Sequence, residues 1–445
     1  MFTRRSALVS AAALGAALGA GGLTPARADP PTGFVRREGQ RFTLDGQPYR
    51  FTGANMWYGA YLGADAAYGN RARLGRELDA LKGLGVTNLR ILGSSEDSPL
   101  RNSVTPTFRN KSATYNETLL VGLDHMLAEM GRRDMKGVIY LTNLWEWSGG
   151  MMTYLYWVNG GNYINANDPE HPWPAFANFN ADFYRSAEAI GMYHDYVRAV
   201  VGRTNTITGI RYADDPAIMA WQLANEPRPA GGETEALAVL PEFYAWIGST
   251  AKLIKSIDPH HLVSTGGEGL KGSVEKAEIV RQTQAPDEID YVTAHIWPGN
   301  WGWLDLKDMA GTHENAKREV ANYIAQHTEI AKGLDRPLVI EEFGYPRDGN
   351  LYDPSVATTM KDQFYGVIYD AVLADMRAGG PLQGSNFWAW NGEGRAQHAD
   401  HRFQPGDLSY VGDPPHEPQG WYGVFDSDEG TKARIHANAE AIRAL

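Results

Sequence analysis

Ile218-Met-Ala-Trp-Gln-Leu-Ala-Asn-Glu-Pro227 is a short apolar run that ends in a carboxylate, and Pro337-Leu-Val-Ile-Glu-Glu-Phe-Gly344 repeats the pattern far along the chain. A continuous apolar run of this length suits a strand buried on both faces. Read as strands, these runs cover residues 218–225 and 337–343, and comparable runs lie at 51–57, 87–92, 137–145, 261–265, 290–297 and 385–390. Amphipathic stretches alternate with them at 71–83, 117–133, 181–201, 240–256, 314–332 and 354–377, and a last one spans 432–445. Eight apolar strands with helices between them predict an α/β fold of the (β/α)8 TIM-barrel type. A doubly wound open sheet fits less well, because no glycine-rich phosphate loop follows the first run. Ahead of the strands, Arg41-Phe-Thr-Leu-Asp-Gly-Gln-Pro-Tyr-Arg50 predicts an N-terminal β-hairpin within residues 34–51, turning at Asp45-Gly46.

Residues 1–28 read as an export leader. Arg4-Arg5 precede an Ala/Gly/Leu-rich stretch from Ala7 to Leu23, and Ala26-Arg27-Ala28 is an A-x-A cleavage site. The paired arginines point to a twin-arginine leader; an ordinary secretory leader is the alternative, because Ala7 stands where that signal often has Phe. The stretch is too short and too small in side-chain volume for a spanning helix. Either leader predicts a periplasmic or secreted protein, off the membrane after cleavage, with residues 29–445 as one catalytic domain; a monomer is expected. There is no cysteine among 445 residues, so an exported fold has to rest on a large core. The formal charge of −12 argues against nucleic acid, since an acidic chain does not neutralise phosphates. Thirteen Trp and 22 Tyr suit either a core or platforms on which sugars stack.

A barrel of this type carries its chemistry at the C-terminal ends of its strands, and the unusual polar residues fall there. Arg90 lies in Asn88-Leu-Arg-Ile-Leu92, and Asn143 and Trp145 end the third run. Asn225 and Glu226 end the fourth, His295 and Trp297 the sixth, Glu342 the seventh and Trp388 the eighth. Two carboxylates facing each other across the mouth could hold a glycosidic bond between an acid and a nucleophile, which in retaining enzymes stand about 5–5.5 Å apart.

On these residues the chain resembles glycoside hydrolase family 5. Asp215-Pro-Ala-Ile-Met-Ala-Trp-Gln-Leu-Ala-Asn-Glu-Pro227 contains the Asn-Glu-Pro that holds the family's acid/base, and Glu342-Phe-Gly344 contains its nucleophile. Arg90, His295 and the Trp388 of Asn386-Phe-Trp-Ala-Trp390 fall in order where the family has active-site residues. The resemblance runs over roughly residues 34–445. Within the family the chain is most similar to the mannan-degrading branch, through Thr142-Asn-Leu-Trp145, the long approach to Asn-Glu-Pro, and Phe387-Trp388.

The resemblance implies double displacement, with Glu342 as nucleophile and Glu226 as acid/base. Desolvation and the charge of Glu342 are expected to hold Glu226 protonated; once the nucleophile is glycosylated, Glu226 can act as base. Arg90 is expected to keep Glu342 ionised, Asn225 to receive the sugar 2-hydroxyl and Trp388 to lie under the ring. Asn143, Trp145, His295 and Trp297 are expected to line the substrate site. Glu341 competes with Glu342. Alternation along a strand lets only one of them face the mouth, and the match to Glu-Phe-Gly selects Glu342. Glu146 reads as a subsite or structural carboxylate. The family usually has Tyr two residues after the strand-six His, but here the segment is His295-Ile-Trp-Pro-Gly-Asn-Trp-Gly-Trp303. An indole only donates, so Trp297 is expected to line a subsite. His398-Ala-Asp-His401 lacks a defined third and fourth ligand; no metal site is expected, and the reaction needs no cofactor.

The long segment 391–431, between the eighth strand and the last helix, is expected to wall off one end of the cleft. A second segment, 147–179, carries Trp147, Tyr154, Tyr156, Trp157 and Trp173 and is a candidate for another wall. The combined expectation is a mannan endo-1,4-β-mannosidase-family enzyme that attacks β-1,4-manno-oligosaccharides with an exo preference. Cellulase or glucomannanase action, transglycosylation, and a non-catalytic β-glycan-binding protein are the alternatives.

Overall fold

A computed structural model describes residues 32–166 and 168–445; the expected leader lies outside them. All eight expected strands form, as β1 Phe51–Asn55, β2 Val86–Leu92, β3 Lys136–Tyr140, β4 Ile218–Gln222, β5 Leu262–Ser264, β6 Val292–Ile296, β7 Leu338–Phe343 and β8 Leu382–Phe387. They pair in parallel in the order β5-β4-β3-β2-β1-β8-β7-β6. Across the remaining seam, Asp290 N donates to Val263 O (2.7 Å) and His295 N to Glu268 O (3.1 Å). Side-chain bonds reinforce that seam, from Val263 N to Asp290 Oδ2 (2.7 Å) and from Thr293 Oγ1 to Gly267 O (2.6 Å). The barrel is thereby closed by hydrogen bonds where the strand ladder stops.

Several strands are shorter than the apolar runs suggested. β3 and β4 stop at Tyr140 and Gln222, and the residues beyond them run on as turns. Asn143, Trp145, Asn225 and Glu226 therefore lie in turns after their strands, held by a lone parallel pairing of Asn143 with Asn225. The eighth run breaks after Phe387, and Trp390–Gly392 pairs instead with Val424–Phe425.

The outer layer consists of α1 Arg71–Gly83, α2 Glu117–Gly131, α3 Ala187–Val201, α4 Glu233–Ile257, α5 Ala277–Gln284, α6 Met309–Gly333, α7 Thr359–Arg377 and α8 Glu429–Arg443. Side chains of Asn70, Asn116, Ser186 and Asp308 accept from the third residue beyond, capping α1, α2, α3 and α6 at their starts. Each helix turns an apolar stripe to the sheet; in α1 it is Leu74, Leu78 and Leu81, spaced as a helix face requires. The expected hairpin is a three-stranded antiparallel sheet, Val35–Glu38, Arg41–Leu44 and Gln47–Pro48. It turns twice, at Gly39-Gln40 and at Asp45-Gly46, where both residues of the second turn have positive φ (51° and 77°). Its Phe42 packs edge-on against Tyr291 at 5.4 Å and closes the N-terminal end of the barrel with Val138, Met219 and Val339.

Segment 391–431 is knitted into the fold. Asp413 accepts from the backbone N–H groups of Gly420 (2.8 Å), Tyr422 (2.7 Å) and Gly423 (3.0 Å) and from Asn391 Nδ2 (3.0 Å). The buried Lys361 ammonium donates to the carbonyls of Tyr422 (2.9 Å) and Gly423 (3.1 Å). The Arg347 guanidinium holds Asp428 at 2.6 and 2.8 Å. No helix among the described residues is long and apolar enough to cross a membrane. Asp413→Ala would strand four buried donors, at about 1–3 kcal/mol each before relaxation. It is expected to lower the urea midpoint and to open segment 391–431 to protease; an unchanged midpoint and cleavage map would refute that role for Asp413.

Candidate active site

Arg90 lies at the centre of the mouth, fully buried. Nη1 donates to Glu342 Oε1 (2.5 Å) and Asn55 Oδ1 (3.3 Å), Nη2 to Asn225 Oδ1 (2.7 Å) and Nε to Gln222 Oε1 (2.7 Å). The guanidinium also stacks 4.6 Å from the Tyr140 ring. Four side chains from β1, β4, its extension and β7 thus converge on one cation, and its fork geometry fixes the rotamer of Glu342. Asn55, Gln222 and Tyr140 were missed in the sequence because each reads as an ordinary strand residue. Only barrel closure brings them to Arg90.

Both Glu341 and Glu342 point into the barrel, which corrects the expectation from strict alternation. The register of β7 against β6 slips between Ile340 and Glu342, leaving Glu341 as the extra residue of a bulge. Glu341 accepts from Gln222 Nε2 (2.6 Å) and Tyr291 OH (3.0 Å). Those partners precede Glu226 and His295 by one layer of the barrel, so Glu341 is a satisfied carboxylate below the mouth and Glu342 is at it.

Glu226 follows a turn pinned on both sides, with Asn225 N donating to Thr142 O (2.8 Å) and Glu226 N to Gly266 O (2.9 Å). Its φ of 51° is left-handed, which costs a non-glycine residue about 1–2 kcal/mol. That conformation turns the carboxylate toward β6. There Oε1 faces His295 Nδ1 at 2.6 Å, while Oε2 accepts from Trp145 Nε1 at 2.5 Å. His295 Nδ1 also lies 3.3 Å from Glu342 Oε2. Oxygens of Glu226 and Glu342 and a ring nitrogen of His295 fall within 4.8 Å of one another, a separation compatible with the retaining geometry.

The electrostatics around Glu226 run against the expected rise of its carboxyl. Burial pushes the Glu226 carboxyl up, but the His295 hydrogen bond and charge, with Arg228 behind, outweigh it and bring it down to about 2. Burial disfavours charge on His295 too, yet Glu342 and the bonds to the carboxylates raise it well above the usual imidazole range. Both directions favour the charged forms of the pair, an imidazolium one short hydrogen bond from a carboxylate. Behind this pair, Arg228 holds Glu268 in two bonds of 2.5 and 2.7 Å and lies over the rings of Trp145 (5.6 Å) and Trp173 (5.0 Å).

The other expected residues are distributed as follows. Asn143 is engaged at both ends of its amide: Oδ1 accepts from Asn225 Nδ2 (3.1 Å) and Trp145 N (3.0 Å), and Nδ2 donates to Ser148 (3.1 Å). It positions Asn225, whose amide keeps one N–H for a ligand. Trp297 packs against Trp388 (5.8 Å) and Tyr422 (5.0 Å). No hydrogen bond joins it to Glu342 among the described residues. Gly344 makes room for it, since a Cβ there would stand 2.6 Å from the Trp297 ring. Of the five aromatics singled out in 147–179, Trp147, Tyr154 and Trp157 are core, Tyr156 is half-buried and Trp173 is 53% exposed. His398 pairs with Asp407 (2.8 Å) and His401 with the Gln419 carbonyl (2.9 Å), so the two do not converge.

Segment 391–431 contributes two residues that the sequence did not single out. His416 lies 3.4 Å from Glu146 and edge-on to Trp145 at 6.3 Å. Burial raises the Glu417 carboxyl well above its usual range, and so do the charges of Asp413, Glu342 and Glu226. Among the described residues, Glu417 Oε2, His416 Nδ1, Glu146 Oε2 and Trp388 Nε1 are buried without a hydrogen-bond partner. The loop thus turns unspent polar atoms toward the space beside the two carboxylates.

The chain matches the model of the family described as GH family 5 β-mannosidase-like over residues 32–445. Mannan endo-1,4-β-mannosidase 1 of Oryza sativa subsp. japonica is 30% identical over 431 residues, 93% of this chain and 87% of that protein. The crystal structure of the family 5 mannosidase from Rhizomucor miehei superposes with a TM-score of 0.83 at 33% identity, covering 93% of this chain and 99% of that one. A variant of that mannosidase solved with mannosyl-fructose gives a TM-score of 0.84 at the same identity and coverage. With this match over the whole described chain and its barrel architecture, the protein belongs to glycoside hydrolase family 5, among its mannosidases and mannanases.

Proposed function

We propose that the protein is a retaining β-mannosidase that removes single mannose units from the non-reducing ends of β-1,4-manno-oligosaccharides, with Glu342 as nucleophile and Glu226 as acid/base. In the first displacement, a Glu342 oxygen bonds to the anomeric carbon as the bond to the leaving oxygen breaks. The leaving oxygen takes a proton that reaches it through Glu226, drawn across the 2.6 Å bond from His295, so that Glu226 ends the step as a carboxylate. In the second, Glu226 takes a proton from water, whose oxygen displaces Glu342 and releases the sugar. Arg90 holds the nucleophile's rotamer, and the remaining Asn225 N–H is suited to the 2-hydroxyl. Trp388 supplies an apolar face beneath the ring.

The observation that carries the exo reading is the fold of segment 391–431, which sets Glu417 and His416 beside the catalytic pair. A neutral Glu417 both donates and accepts, as recognition of a terminal sugar's hydroxyls requires. The mannosyl ligand of the Rhizomucor miehei relative supports the choice of sugar. The leader-like residues 1–28 support export, with residues 29–445 as the mature enzyme acting as a monomer.

Reduced mannohexaose should yield free mannose from the earliest time points, with the reduced end retained in the shortened chain, and cellohexaose should react far more slowly. Mid-length products at the outset would refute exo attack. Glu342→Ala should lower kcat by about three orders of magnitude or more with the thermal unfolding midpoint kept; full activity would exclude the assignment. Because the His295 pKa is raised, the shared proton persists as pH rises beyond the ordinary imidazole range and is lost only above it. In His295→Asn the proton has to sit on Glu226 alone, so the alkaline limb of kcat/KM should move to lower pH, and an unmoved limb would count against proton storage on His295.

A further inference from the structure

An open cleft of about 350 Å³ lies on the surface apart from the catalytic mouth, and none of the active-site residues lines it. One wall is Asp97, Ser98 and Pro99, just after the Glu96 end of the β2 extension; a second is the turn at Asn110-Lys111. Tyr156 and Trp157, from the helix Gly150–Val158, form the third side.

These walls are tied together. Asp97 N donates to Arg109 O (2.9 Å), and Trp157 Nε1 donates to Asp97 O (3.2 Å). Beneath them the Arg109 guanidinium lies 5.1 Å from the Trp157 ring. The turn after Asn110 is closed by Thr114 N on Asn110 Oδ1 (3.1 Å). Tyr156 is braced edge-on by Tyr163 at 5.6 Å. The backbone of the walls is therefore held, and the exposed side chains of Asp97 and Lys111 project from it.

The lining has a definite chemistry. It offers one carboxylate, one ammonium, an amide and hydroxyls beside the half-buried Tyr156 ring, with Trp157 buried behind it. Among the described residues, neither the Asp97 carboxylate nor the Lys111 ammonium makes a hydrogen bond or ion pair within the protein. One charge of each sign gives no net preference for an anion or a cation. A neutral ligand rich in hydroxyls satisfies both the acceptor and the donor while resting an apolar ring face on the aromatic side. The volume accommodates about two hexose units.

We propose that this cleft is a second saccharide-binding site, which holds a stretch of β-mannan while the chain end occupies the catalytic mouth. The choice of mannan rests on the proposed function. A polymer held at two points pays the cost of association once, so even a weak second site raises the effective concentration of chain ends at the mouth. Short oligosaccharides, which cannot span both sites, gain nothing.

The test uses the full chain carrying Glu342→Ala, so that binding is read without turnover, and measures its depletion from solution by insoluble β-mannan. Adding Tyr156→Ala with Lys111→Ala should weaken retention by at least about fivefold. Ser112→Trp, which fills the cleft without removing a core side chain, should do the same. In the active enzyme either change should lower the rate on insoluble mannan while kcat/KM on mannotriose stays within about twofold. Unchanged retention in both variants, no retention of the parent, or an equal loss on mannotriose and mannan would overturn the second site. Failure of the unmodified enzyme to cleave mannotriose would refute the catalytic reading instead, and the retention comparison would still decide the cleft.

Discussion

A guanidinium buried in the lumen of a barrel is the constraint around which this site is built. Arg90 has no water to satisfy its donors, and leaving such a charge without partners costs about 3–5 kcal/mol. The sequence meets this from several strands at once, with Asn55, Gln222, Asn225 and Glu342 as direct partners and Tyr140 beneath. Each of these residues is constrained in turn. Asn225 is held by Asn143, and Gln222 also donates to Glu341. The geometry of the nucleophile is thus a consequence of charge neutralisation, and it is rigid because every partner has a second obligation.

The opposite carboxylate is governed by backbone strain and a shared proton. The left-handed conformation of Glu226 persists because flanking hydrogen bonds fix the turn on both sides. It aims the carboxylate at His295, which is raised by the same carboxylates it serves. Low dielectric makes that exchange strong, since a proton anywhere in the cluster is felt by every member. Trp145 adds a donor to the outer oxygen of Glu226, and Arg228 adds positive charge behind it. One acidic residue in a loop, Glu417, experiences the two catalytic carboxylates from the other side and is driven toward its neutral form.

Long loops are expensive to order, and segment 391–431 is ordered by buried ionic groups more than by apolar packing. Asp413 gathers backbone donors as a helix N-terminus gathers an anion, and Lys361 gathers carbonyls from the same stretch. Tyr422, which belongs to this stretch, packs on Trp297 and gives that tryptophan a place in the wall. The departure from the family's tyrosine is therefore accommodated by packing, while the nucleophile takes its hydrogen bond from Arg90.

By itself the sequence determined the eight strands, most of the helices between them, and the nine residues near the strand ends that mark the mouth. Those features are legible because they depend on local composition: an apolar run, a helical stripe, a motif such as Asn-Glu-Pro. Tertiary structure alone decided the rest. Strands ended early where the chain runs on as turns at the mouth, and the bulge at Glu341 turned two successive glutamates inward. It also decided that Asn143 supports Asn225, that neighbouring carboxylates raise His295, and that His416 and Glu417 lie beside the catalytic pair. The physical reason is common to all of these. Register, burial and the field of neighbouring charges are set by residues distant in the chain, and no local pattern encodes them.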